Sequence, residues 1–142
     1  GTWAGSARLM DRTLSEALDL PAGELAPRDG GGLSKRNRVS PRAVAALLKH
    51  AAGSEWGGAL LDSLPVGGKE GTLRKRLNGT DGRVRAKTGY VARTSCLSGY
   101  ILDARGAPAL AFSILCNDVP PGKCWKAKQL QDALCRKMVG SH

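Results

Sequence analysis

Aromatic side chains are scarce in this chain: three Trp, two Tyr and one Phe supply 4% of 142 residues. Single-stranded nucleic acid is usually held by stacking on such rings, so a formal net charge of +10 is not by itself a nucleic-acid signature. The basic residues are scattered along the chain, as on a solvated Arg-rich surface, and no nucleic-acid partner is expected. Histidine is nearly absent (His50 and His142), and Cys96, Cys116, Cys124 and Cys135 form no Cys-x-x-Cys pair. That argues against a zinc site, and no metal or organic cofactor is implied. No apolar run approaches the roughly 18 to 20 residues that span a bilayer. The chain starts Gly1-Thr2-Trp3 without Met, basic n-region or apolar h-region, and is expected to be a piece of a longer protein. One domain with a real core suits this length.

The apolar spacing outlines the elements. Leu9, Met10, Leu14, Ala17 and Leu18 recur at helical spacing after Ser6, a candidate cap, and Pro21 closes that helix. Pro21 to Gly32 reads as a loop. Ser40 then caps a helix with Pro41 in its first turn, Ala43, Val44, Leu47 and Leu48 on its buried stripe, and Gly53 at its end. Residues 54–64 suit a further helix with Trp56, Leu60, Leu61 and Leu64 on one side, and residues 72–77 a single helical turn. Gly67-Gly68-Lys69-Glu70 lacks the Ser or Thr that a phosphate loop needs after Lys. Three strands follow, one around 83–90, one over 94–103 and one over 109–116, with a hairpin turn at Ala104-Arg105-Gly106-Ala107. A last helix over 123–139 is expected to turn Trp125, Leu130, Leu134 and Met138 toward the sheet. Cys116 with Cys124 is the disulfide to test against four free, buried thiols. Helices and an antiparallel sheet in this order make an α+β layer arrangement.

Arg83-Val84-Arg85-Ala86-Lys87-Thr88-Gly89-Tyr90 is the most informative stretch. It is a basic strand ending in Lys-Thr-Gly, with a glycine where a ligand backbone can lie close. Upstream stand Asp29-Gly30-Gly31-Gly32-Leu33-Ser34-Lys35-Arg36-Asn37-Arg38-Val39-Ser40-Pro41, Leu64-Pro65-Val66-Gly67-Gly68 and Gly71-Thr72-Leu73-Arg74; downstream is Leu97-Ser98-Gly99-Tyr100. In order and spacing these blocks resemble the class C penicillin-binding proteins, the D-alanyl-D-alanine carboxypeptidase/endopeptidase family, from about Arg8 to Asn117.

The resemblance implies the C-terminal half of a penicillin-binding transpeptidase or β-lactamase-like domain, three antiparallel strands covered by helices. It also implies a serine-type peptidase acting on peptidoglycan stem peptides through an acyl-enzyme, and open to β-lactams, in the periplasm or cell envelope. The positive charge would then favour anionic wall polymer or the membrane surface. Acyl transfer needs a nucleophile, a base, an oxyanion hole and a clamp for the free carboxylate. No serine in residues 1–142 has Lys three positions on, so the family's Ser-x-x-Lys motif would have to precede Gly1, and the chain alone is expected to be inactive. By resemblance Ser34 is a proton relay, Asn37 a holder of the substrate amide, and Lys87 with Thr88 the carboxylate clamp. Gly89 leaves room for substrate, and the backbone N–H of Tyr90 joins the oxyanion hole.

Asp29, Arg38, Arg74 and Tyr100 read as structural, Asp29 capping its loop and the arginines binding carboxylates. The chain departs from the family pattern at three places. Asn37 is one position late for Ser-x-Asn, Gly31 stands in place of Ser, and Tyr90 in place of a small hydroxyl residue. These favour the rival reading, a non-catalytic cell-wall-binding homologue of the same fold.

Overall fold

The computed structural model describes residues 2–91 and 93–141; His142 lies outside the described residues. Helix α1 (Trp3–Ala17) begins earlier than the Ser6 cap predicts, because the Thr2 hydroxyl accepts the Gly5 N–H at 3.1 Å. Its inner stripe is Ala7, Met10, Leu14 and Leu18, and Leu9 and Ala17 are exposed. The expected loop over 21–32 contains a short strand, β1 (Leu25–Ala26), paired antiparallel with β2 (Arg38–Val39). Ser40 caps helix α2 (Pro41–Ala52): its hydroxyl accepts the Ala43 N–H at 3.0 Å and donates to the Glu24 carboxylate. Helix α3 is shorter than expected (Gly57–Ser63), leaving Trp56 half-exposed and Leu64 buried.

The main sheet is β3 (Val84–Val91), β4 (Thr94–Leu102) and β5 (Pro108–Cys116), antiparallel in the order β3-β4-β5. Facing residues share a side of the pleat. Val84, Ala86, Leu97, Ile101 and Phe112 therefore lie on one side, where Leu73, Leu77 and Cys135 complete a core. On the other side Tyr100 and Leu102 meet Leu48, Leu61 and Leu64 from α2 and α3, and the Tyr100 hydroxyl donates to the Leu48 carbonyl at 2.7 Å.

Helix α4 (Cys124–Val139) covers the first side, but of the expected inner residues only Met138 packs on the core. Trp125, Leu130 and Leu134 are exposed, whereas Ala127, Gln131 and Cys135 are buried. A polar network sets this rotation. Gln131 donates to the Ser95 carbonyl at 3.1 Å and accepts from Arg76 at 3.0 Å, and Arg76 pairs with Asp132 at 2.6 Å. A buried amide with both ends satisfied outweighs the burial of a few more leucine atoms. All four cysteines are free, so the Cys116–Cys124 bridge does not form. Burial, then the nearby Asp132 charge, pushes the Cys135 thiol up to about 12. No described helix is long and apolar enough to cross a membrane.

Gly99 brings β3 and β4 into close approach, since a Cβ there would lie 2.1 Å from the Arg85 carbonyl oxygen and 2.6 Å from the Ala86 Cα. Gly99→Ala is expected to destabilise the fold by about 3 kcal/mol. Gly58→Ala, in open space on α3, should leave stability unchanged or raise it by up to about 1 kcal/mol. Urea unfolding of the two variants checks the contrast.

Candidate active-site edge

Strand β3 is an edge strand whose outer side changes character halfway along. The Gly67 N–H donates to the Val84 carbonyl at 2.8 Å and the Ala86 N–H to the Pro65 carbonyl at 3.1 Å, so residues 65–67 cover its first part. Along a regular strand alternate residues turn their N–H and C=O to the same side. The ladder to β4 is unbroken from Val84 to Val91, so the backbone groups of Thr88 and Tyr90 face outward too. The covering segment has by then turned away. It bends at Gly71 (φ +47°), where Leu73 drops into the core and the Glu70 carboxylate accepts the Val66 N–H at 3.1 Å.

Lys87, Thr88, Gly89 and Tyr90 are thus together on a strand edge left uncovered by the described residues, with Lys87, Gly89 and Tyr90 exposed. The Lys87 ammonium bends to the outward Thr88 carbonyl, 2.5 Å away. It projects from the same face as Ser98 and Ser113, whose hydroxyls are 2.9 Å apart. The Thr88 hydroxyl is on the opposite face, 2.9 Å from that of Thr72. Thr72 belongs to the Gly71-Thr72-Leu73-Arg74 block, and its distance to Thr88 is what singles it out.

The fold does not require glycine at 89. An added Cβ would meet only the Cys96 Cβ at an ordinary 3.5 Å, and the backbone is not left-handed. The bare position is exposed, on the face of the sheet that carries Lys87.

Ser34 and Asn37 are in the β1–β2 loop, and no hydrogen bond or ion pair among the described residues joins that loop to β3. The loop leads into α2, which packs on β5 at the far side of the sheet. Asn37 closes the loop: its Oδ1 accepts the Arg28 and Asp29 N–H groups at 2.6 and 3.2 Å. The Ser34 hydroxyl accepts the Arg36 N–H at 3.2 Å. Asp29 caps the turn as expected, accepting the Gly32 and Ser34 N–H groups at 2.6 Å each. Arg38 binds the carbonyls of Lys35 and Asn37 rather than a carboxylate. Arg74 forms no ion pair among the described residues.

Residues 1–137 match the family described as D-Ala-D-Ala carboxypeptidase 3 (S13). The chain belongs to this family. A D-alanyl-D-alanine carboxypeptidase of Actinomadura sp. (strain R39) is 39% identical over 124 residues, which is 82% of this chain and 22% of the relative. A carboxypeptidase of Mycobacterium tuberculosis is 34% identical over 118 residues, 78% of this chain and 24% of the relative. The S13 chain therefore spans about a quarter or less of these curated relatives. The crystal structure of penicillin-binding protein 4 from Haemophilus influenzae, complexed with a β-lactam, superposes with a TM-score of 0.74. It is 23% identical, with 94% of this chain and 34% of that one covered, and supports the fold.

In this S13 chain burial raises the Asp29 carboxyl, but hydrogen bonds from Ser34, Asn37, Gly32 and Leu33 together outweigh it and hold the pKa below the ordinary 3.8. A depressed carboxyl stabilises the loop above its unfolded value and loses that effect as pH falls through its folded value. Amide exchange at Gly32 and Ser34, corrected for intrinsic rate, is therefore expected to lose protection only below pH 3.8. Asp29→Asn should remove the pH dependence.

Proposed function

We propose that this chain is the carboxy-terminal part of a serine-type D-Ala-D-Ala carboxypeptidase that trims peptidoglycan stem peptides outside the cytoplasmic membrane. Cleavage of cross-links is a further activity of the same site. The observation that carries the reading is the half-covered edge of β3, where Lys87, Thr88, an uncrowded Gly89 and an outward Tyr90 N–H meet in a chain of the S13 family. A stem peptide would add to this edge as an extended strand, pairing with the backbone of Thr88 and Tyr90.

The nucleophile would be the Ser of a Ser-x-x-Lys motif in the part of the protein preceding Gly1. Its Oγ attacks the carbonyl carbon of the penultimate D-Ala while the proton passes to the motif's Lys amine. The Tyr90 N–H would take the negative charge that gathers on the carbonyl oxygen. The C–N bond breaks, the leaving D-Ala amine receives the proton, and water then hydrolyses the acyl-enzyme. Lys87 and Thr88 would hold the terminal carboxylate. Ser34, whose hydroxyl accepts the Arg36 N–H and keeps its own proton to give, would relay a proton to the leaving amine, and Asn37, besides closing the β1–β2 loop, would hold the substrate amide. The net charge of +10 would favour residence near anionic wall polymer or membrane surface.

The parent protein should be acylated by a fluorescent penicillin and this chain alone should not. In the parent, Lys87→Ala should slow acylation by about 100-fold, as for loss of a charged hydrogen bond. Gly89→Ala should slow it while leaving the melting temperature within a degree or two. A parent that binds peptidoglycan but is never acylated would instead establish the non-catalytic wall binder.

A further inference from the structure

The Thr72 and Thr88 hydroxyls are 2.9 Å apart, Thr72 in a single turn of 3-10 helix (Gly71–Leu73) and Thr88 on β3. Thr72 is held there from two directions. Its neighbour Leu73 is fully buried and bonds back through its N–H to the Glu70 carbonyl at 3.0 Å and through its carbonyl to the Gly68 N–H at 3.1 Å. The segment before it is hydrogen-bonded to β3 itself through Pro65 and Gly67. Thr72 is consequently fixed relative to the strand that bears Thr88, yet exposed at the point where the covered edge becomes free.

A hydroxyl has a single proton to give. If Thr88 donates to Thr72, nothing remains for a ligand; if Thr72 donates to Thr88, the Thr88 proton is released toward the open edge. An anion held by the neighbouring Lys87 ammonium selects the second arrangement, and each bond of the chain Thr72 to Thr88 to carboxylate polarises the next. We propose that Thr72 is a positioning residue that turns the Thr88 proton toward the free carboxylate of the substrate. It thereby strengthens the preference for a charged terminus over a neutral one. This rests on reading the β3 edge as the carboxylate site.

The test compares acylation rates of the parent protein by a penicillin and by its methyl ester, which differ in the charge of that one carboxylate. Thr72→Val keeps the shape and removes the hydroxyl. It is expected to lower the acid-to-ester rate ratio about five- to tenfold, the scale of one hydrogen bond to a charged group, with the ester rate within about twofold of wild type. Thr72→Ser should keep the wild-type ratio. An unchanged ratio in Thr72→Val overturns the proposal, as does an equal fall for acid and ester, which marks a structural role. A ratio lowered equally in Thr72→Ser also overturns it, since the hydroxyl is then not the active feature. Wild-type parent that neither compound acylates removes the carboxylate site itself and this assignment with it, an outcome distinct from the other three.

Discussion

Everything at the candidate site depends on where the backbone hydrogen bonding along the outer side of β3 stops. Pro65 and Gly67 pair with Val84 and Ala86, and then Gly71 and the buried Leu73 carry the chain away before Thr88. Edge strands with unpaired groups recruit other chains, and most proteins blunt them. Here the blunting is partial. The exposed half carries a lysine and a bare glycine, and on the proposed reading it is left open to a strand-like guest while its charge opposes indiscriminate pairing.

The two sides of the sheet support this edge in different ways. The α4 side is apolar where Thr88 faces Leu97 and, beyond it, Ile114, and polar where Gln131 reaches Ser95. The other side is polar in the Lys87 row, where Ser98 and Ser113 bond to each other, and apolar further along, where Tyr100 ties the sheet to α2. Gly99 lets β3 lie close enough to β4 for both sides to stay in register. The lysine and the threonine of one tripeptide consequently emerge on opposite faces of a strand whose height is fixed.

Much of this was legible from residues alone. The Lys-Thr-Gly strand, its two successors, the Ser40 cap with Pro41 and the Gly53 stop all rest on local chemistry, and the structure has them within a residue or two. What was not legible depends on distant partners. Trp125, Leu130 and Leu134 look like the inner face of α4 until Arg76, more than fifty positions earlier, claims Gln131 and Asp132. Strands of two residues such as β1 and β2 carry no periodicity to detect. Ser34 and Asn37 have residue types that suit a relay, but the bonds that hold Asn37, to Asp29 and the backbone of Arg28, are not legible from motif spacing. Thr72 shows the reverse, an unremarked hydroxyl made significant by one contact.

The central claim is that the free half of β3 receives a ligand strand through its backbone. Hydrogen exchange of the parent protein, followed residue by residue before and after acylation by a β-lactam, tests it most directly. The Tyr90 amide should exchange freely beforehand and become protected afterwards, while the Ala86 amide, already bonded to Pro65, stays protected throughout. A Tyr90 amide that exchanges as fast in the acylated protein as in the free one would contradict the account.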